Sequence, residues 1–413
     1  MTQPVLFDTL TPAARDPRVA FAVKLAEALH TYGVPTHRLE QGMNRVARRL
    51  GLQGNFLVTP TSIFVSFGSP EEQRTSLVRV EPGEVDLEKM TRLDELVTQV
   101  IQGETDVESG AKRIDEITAA PPRYGPVLST VCFALASAAG GCFLGGGWRE
   151  IVITGLVGLL LGTLALIMGR SENTVRVFEP VAAVAAGALA VLAAHGLKPL
   201  SVYVTTLASI IVLLPGLTLT TAMRELATRN LVAGTARLMG AALLFFQLGF
   251  GVALGWQLNQ ALPAVPLNTP PEPLAWWALW VALAVAPFNF MVLFRAQPRD
   301  LGWIAASCLV SFGGARAGAA LLGPELGVCL GAMALGAGAN VFARLTRRPS
   351  AIALVPGLML LVPGSLGFGS VAQLIEKDAL SGIQTAFSML LIAVALVTGL
   401  LLANVLVAPR KIF

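Results

Sequence analysis

Apolar and polar positions divide the chain into two unlike parts. Up to about residue 122 the apolar positions recur with short periods. Val19, Ala22, Val23, Ala26 and Leu29 follow a helical spacing, as do Leu39, Met43, Val46, Ala47 and Leu50, and Gly51 is placed to end that second helix. Alternation then takes over at Phe56 and Val58, at Ile63, Val65 and Phe67, and at Leu77 and Val80, which predicts short strands. A third helix is predicted on Leu87, Met90, Leu93, Val97, Val100 and Ile101. Thr105-Asp-Val-Glu108 reads as a capping box for a fourth, with Val107, Ala111, Ile114 and Ile117 on one face, and Pro121-Pro122 stops it.

Beyond that point the pattern becomes long apolar runs. A spanning helix needs roughly 20 mostly apolar residues. Such runs cover 126–147, 151–169, 178–196, 200–219 and 231–258. After a polar, proline-rich stretch at 260–273 they resume at 274–294, 301–322, 326–345, 351–368 and 379–407. The expected organisation is a small soluble α/β domain at 1–122, then five transmembrane helices in 123–262 and five in 263–413.

The two membrane halves share a motif. Leu214-Pro215-Gly216 is followed eighteen residues after the glycine by Gly234, and Val362-Pro363-Gly364 is followed at the same spacing by Gly382. Arg149-Glu150 before the second run is echoed by Arg299-Asp300, and Lys198-Pro199 before the fourth by Arg348-Pro349. An odd number of spans per copy makes the second copy enter the membrane upside down. The pattern therefore predicts an α-helical integral membrane protein of ten transmembrane helices in two inverted five-helix repeats. In that architecture paired helix breaks mark the binding site.

Charge supplies the orientation. Residues 1–126 hold 14 Lys/Arg and 17 Asp/Glu, whereas the remainder holds 16 Lys/Arg and 9 Asp/Glu. Hydrophobic residues make up 54% of the chain and charged residues 14%, with a mean hydropathy of +0.67, which excludes an ordinary soluble enzyme. The N-terminus lacks a signal-peptide pattern, so both termini are expected in the cytoplasm and the protein in the plasma (inner) membrane. Twelve basic residues then fall in inside loops or at inside helix ends, from Arg170 to Arg410 and Lys411, against Arg149, Lys198 and Lys377 outside. The mildly acidic soluble domain argues against nucleic acid as a partner. Cys132, Cys142, Cys308 and Cys329 all sit in apolar runs without a CxxC pair, and no cofactor or metal site is indicated.

These residues also resemble a known family. Gly33-Val-Pro-Thr-His-Arg38-Leu-Glu40 with Val46-Ala47 and Leu50-Gly51, and then Thr59-Pro-Thr-Ser-Ile-Phe-Val-Ser66, are similar to the soluble-domain motifs of the threonine/serine exporter family in its fused form. Leu214-Pro-Gly216 with Arg224-Glu225 and Gly234, and Leu361-Val-Pro-Gly-Ser365, resemble its two membrane signatures. The match runs from about residue 15 to about 408. Glu225 stands where the family pattern has Asp, which keeps the charge and lengthens its reach. The resemblance implies export of small hydroxy amino acids from the cytoplasm.

Pro removes an amide donor and Gly permits unusual backbone angles, so each break frees polar groups that could hold a zwitterion. The candidate substrate site is therefore Pro215, Gly216, Thr218, Thr220, Pro363, Gly364 and Ser365, with Thr221 and Ser370 beside them. Arg316, some fifteen residues into its run, could bind a carboxylate, pair with Glu325 or snorkel to the interface. Asn289 beside Pro287, and Asn340, are further polar candidates. Glu179 and Glu325, each near the start of a span, are the candidate ion-coupling residues, with a helix-start acid as the plainer reading.

His37, beside Arg38 and Glu40, is expected at the surface, and the soluble domain offers no ligand set, so it is not expected to form the transport path. Gly155-Leu-Val-Gly158 suits helix packing within one chain or between copies, which leaves a homo-oligomer open. The reading is a secondary transporter coupled to an ion gradient, with a small amino acid and membrane lipid as partners. The rivals are a carrier of another small metabolite, such as a dicarboxylate, and a membrane-embedded hydrolase. No GxSxG, HExxH or paired-aspartate motif supports an enzyme.

Overall fold

A computed structural model of the chain describes residues 16–69, 71, 73–81, 83–263, 265–375 and 378–409. Lys377, Arg410, Lys411 and residues 1–15, which entered the orientation argument, lie outside that set. The N-terminal part forms α1 (Pro17–Thr31), α2 (Thr36–Arg49), an antiparallel sheet in the order β1 (Gly54–Thr59), β2 (Ser62–Phe67), β3 (Arg74–Arg79), then α3 (Leu87–Gln102) and α4 (Val107–Ala119). The apolar set packs inward, with Phe21, Leu25, Leu39, Met43, Leu87 and Leu93 of the helices and Ile63 of β2 buried together. Gly51 takes a left-handed conformation just past α2, as its placement predicts. The cap of α4 differs from expectation by one residue: Asp106, not Thr105, is the N-cap, accepting the Ser109 amide at 2.8 Å. A carboxylate is the stronger acceptor at the positive end of a helix.

The membrane part follows as α5 (Pro126–Phe143), α6 (Trp148–Met168), the short α7 (Glu172–Val175) and α8 (Phe178–Gly196). Next come α9 (Val202–Ser209), a 3-10 turn at Ile211–Leu213, α10 (Gly216–Ala227), α11 (Leu231–Trp256) and the short α12 (Leu258–Ala261). Then come α13 (Ala278–Leu293), a 3-10 turn at Pro298–Asp300, α14 (Leu301–Leu322), α15 (Pro324–Thr346), α16 (Ala351–Met359), α17 (Gly364–Ile375) and α18 (Ala379–Leu406). Among the described residues, eight helical segments are long and apolar enough to cross a membrane, and the pair α9–α10, bent by 50°, makes a ninth if counted as one span. The run at 274–294 is the shortfall against ten. Its helix α13 has 16 residues, about 24 Å against a hydrocarbon core of about 30 Å.

Small residues set the close helix pairs. A Cβ on Gly331 would sit 2.8 Å from the Ala315 amide, and one on Gly314 2.9 Å from the Gly331 Cα, so α14 and α15 touch backbone to backbone. Gly155 and Gly158 face α5 of the same chain, against Ala138 and Ser137. That motif therefore packs within the chain.

The connecting loops collect on two faces. On one, the N-terminal part meets 294–300: the Leu87 and Glu88 amides donate to the Phe294 and Arg295 carbonyls, and the Tyr124 hydroxyl donates to Ala296 O. Arg295 pairs with Glu84, and Arg299 lies 3.8 Å from Glu95. On the other face the 260–273 stretch covers the end of α8 and the starts of α6 and α9. His195 bonds Pro263 O, the Tyr203 amide donates to Leu267 O, and Arg149 lies 3.3 Å from Glu272.

Candidate functional site

The two Pro-Gly breaks meet each other. Leu214 is extended before Pro215, as a pre-proline residue tends to be, and α10 restarts at Gly216. In the second half α16 tightens into bonds from Leu361 N and Val362 N to Leu358 O, and α17 restarts at Gly364. A Cβ on Gly364 would lie 3.4 Å from Leu214 Cβ and 3.7 Å from the Gly216 Cα, while one on Gly216 would overlap Val362 Cγ1. At Gly216 only glycine allows this approach. The first turn of a helix has amides without intrahelical acceptors and carries positive partial charge. Two such turns, those of α10 and α17, converge here.

The halves agree beyond the breaks. A Cβ on Gly234 would lie 2.7 Å from Leu226 Cγ, and one on Gly382 would lie 2.7 Å from Leu374 Cγ. Buried Glu150, at the start of α6, accepts from Ser201 N at 2.8 Å beside α9, and buried Asp300 before α14 accepts from Arg348 beside α16. The first of these ties lies on the face of the 260–273 stretch and the second on the face of the N-terminal part. The broken segments α9–α10 and α16–α17 thus start from opposite faces and touch at their breaks.

The candidates read from sequence fall in several places. Pro215, Gly216, Pro363 and Gly364 come together and are buried. Thr220 is buried with its hydroxyl unpartnered, Ser365 is half-buried in the first turn of α17, and Thr218 is exposed. Ser370 donates to Gly382 O. Asn289 is buried on α13 with both amide atoms unpartnered, whereas Asn340 is spent on Asn404 and Val407 O. Arg316 is exposed, its guanidinium 5.0 Å from the centre of the Phe312 ring, with no ion pair to Glu325. Glu179 and Glu325 are half-buried at the starts of α8 and α15 and show no ion pair among the described residues.

One polar cluster was not anticipated. Glu225, fully buried at the end of α10, accepts from the Thr36 amide at 3.1 Å and the Thr36 hydroxyl at 2.8 Å, and lies 3.0 Å from Arg237 Nε. The Glu225 carboxylate thereby joins the end of α10 to the start of α2. His37 is therefore not at the surface: it is 6% exposed, because α2 docks its N-terminus on α10. Burial, with the charges of Arg224 and Arg38 beside it, pushes the His37 imidazole down to about 3. Arg224 itself is buried, and its Nε has no partner. The only sequence signal for this cluster was the Arg224-Glu225 dipeptide, since its partners lie 189 residues away.

A polytopic membrane protein with paired broken segments is the class these features define. Residues 20–259 match a family model described as "Putative threonine/serine exporter", and residues 279–406 match one described as "Threonine/Serine exporter, ThrE". The chain belongs to the threonine/serine exporter family, a family of membrane transporters. It is 29% identical over 388 residues to the pheromone-regulated membrane protein 10 of Yarrowia lipolytica, covering 88% of this chain and 31% of that protein. The protein of the same name from Candida albicans is 28% identical over 387 residues, covering 89% and 34%. An uncharacterized protein of Schizosaccharomyces pombe is 25% identical over 444 residues, covering 97% and 52%. The chain thus spans about a third to a half of the length of these relatives. No solved structure matches it.

Proposed function

We propose that the protein is a secondary transporter that exports small hydroxy amino acids, threonine or serine, from the cytoplasm in exchange for an ion gradient. The carrying observation is the contact of Gly216 with Gly364, where two helix N-termini converge. Amides and positive helix ends suit the substrate carboxylate, and freed carbonyls before each break suit its ammonium. In this reading α13 and the bent pair are both spans. The ten spans form two inverted repeats about the paired breaks, with the N-terminal part and both termini on the cytoplasmic side. The opposite starting faces of the two broken segments and the matched glycine–leucine contacts support it.

The test is uptake of labelled amino acids and dicarboxylates by liposomes holding the purified chain, with and without a pH or sodium gradient. Gradient-stimulated movement of chemically unchanged threonine or serine is the expected result. Preference for a dicarboxylate would shift the substrate class, and chemical conversion of the solute would replace transport with hydrolysis.

A further inference from the structure

Glycine 216, threonine 220 and arginine 224 follow one another at intervals of four, which places them on one face of α10. The face begins at the paired breaks, where Gly216 meets Val362. One turn on, Thr220 is 2% exposed and its hydroxyl has no partner. A further turn on, Arg224 is 8% exposed, and its Nε has no partner. The neighbouring acid does not neutralise it, because the Glu225 carboxylate is held by Thr36 and Arg237. The Glu40 carboxylate accepts from the Val58 amide at 2.8 Å, and Arg224 has no ion pair among the described residues. Arg38 adds a second cation to the same buried region. A buried guanidinium that lacks a counter-ion is costly, and a bidentate carboxylate is the ligand its planar fork fits best.

We infer that Arg224, at the end of α10 and the docked α2, is a carboxylate-binding site for the transported amino acid at the cytoplasmic mouth, and that Thr220 is the hydroxyl station between it and the breaks. The inference rests on the export reading and deepens it: the substrate is gathered by its carboxylate beside the N-terminal part and passes along one face of α10. Arg38 and His37 then belong to the wall of the site, although they lie in the soluble part of the chain.

The test uses the full chain in neutral detergent and calorimetric titration with L-threonine, with L-threoninol, which lacks the carboxylate, and with inorganic phosphate. Wild type should bind threonine about tenfold or more tighter than threoninol, as loss of a charge-assisted pair implies. Arg224→Lys should shrink that preference severalfold, and Arg224→Gln should remove it. Thr220→Val should weaken threonine while leaving alanine binding unchanged, and it carries the test if the Arg224 variants do not fold. Unchanged preferences in the folded variants overturn the inference while leaving the export reading intact. Phosphate competing as well as threonine makes the site a general anion site and overturns it too. Failure of wild type to bind any hydroxy amino acid removes the export reading itself, and this inference with it.

Discussion

Gly216 and Gly364 stand so close that a Cβ on either would lie 3.7 Å from the other's Cα. The contact is nevertheless unequal. The Gly364 Cβ would meet Leu214 Cβ at 3.4 Å, an ordinary van der Waals distance, whereas the Gly216 Cβ would overlap Val362 Cγ1. Gly364→Ala should therefore keep near-normal transport and melting temperature. Gly216→Ala should cost about 1–3 kcal/mol of stability by overpacking and strongly reduce transport. Adding Val362→Ala should recover part of both losses. Equal effects of the two single alanines would mean the breaks do not meet as described.

A second pair of glycines offers a finer comparison. At Gly234 a new Cβ would lie 2.9 Å from the Leu226 backbone amide, and at Gly382 the corresponding distance to Leu374 N is 3.2 Å. Backbone cannot step aside as a side chain can. Gly234→Ala should therefore lower the melting temperature more than Gly382→Ala. Leu226→Ala should rescue the former only in part, because the amide clash remains. Full rescue would show that the Leu226 side chain alone sets the distance.

The breaks were legible in the sequence because Pro-Gly at a repeated eighteen-residue spacing is local, and each half writes it separately. That the two breaks touch was only implied by the repeat. The helices of the N-terminal part were equally legible from their apolar period, since Leu39, Met43, Val46 and Ala47 are all buried. What could not be read was docking. Thr36 and Glu225 are far apart along the chain, and nothing local announces a hydrogen bond between them. His37 was misplaced for the same reason: its own helix would leave it exposed, and α10 covers it. The length of α13 was likewise not legible, because apolar content does not fix where a helix begins: Leu274, Ala275, Trp276 and Trp277 are apolar yet precede its start.

Breaking the Glu225 contact should loosen the two parts of the chain. Glu225 has no exposed surface and Arg237 is 18% exposed, so removing the carboxylate strands a half-buried guanidinium and the Thr36 donors. Glu225→Ala should destabilise by about 3–5 kcal/mol, the range for an orphaned buried partner. Thr36→Val, which keeps the shape and loses only the hydroxyl bond to a carboxylate, should cost about 1.5–3 kcal/mol. Glu225→Ala should also speed protease cutting in 120–125, the connector to α5. Wild-type cutting rates in Glu225→Ala would show that other contacts, such as Leu87 to Phe294, hold the parts together unaided.

The sidedness of the loops is open to direct labelling. Asn173 and Asn268 are both exposed, the first near the end of α6 and the second in the 260–273 stretch. In a background with the four native cysteines replaced, Asn268→Cys should react with an impermeant thiol reagent on intact cells, and Asn173→Cys should react only after lysis. Reversed labelling would invert the orientation, and labelling of both from outside would remove the alternation of the spans between them.

Acid should weaken the docked arrangement, and His37 identifies the window. Its imidazole is held at about 3 in the folded chain by burial, with Arg224 and Arg38 adding repulsion, against an ordinary value of 6.5. Above pH 6.5 the ring is neutral whether the chain is folded or not, so it contributes no pH dependence there. Below 6.5 the unfolded chain takes up a proton that the folded chain refuses until the pH nears 3. Stability therefore falls through that window, by up to about 1.4 kcal/mol per pH unit. Between pH 7.5 and 5.5 the wild type should lose more melting temperature than His37→Gln, whose side chain does not titrate. Comparing the two removes the contributions of all other groups, the buried His30 included. Identical losses would mean that burial and the two arginines do not depress His37 in the folded chain.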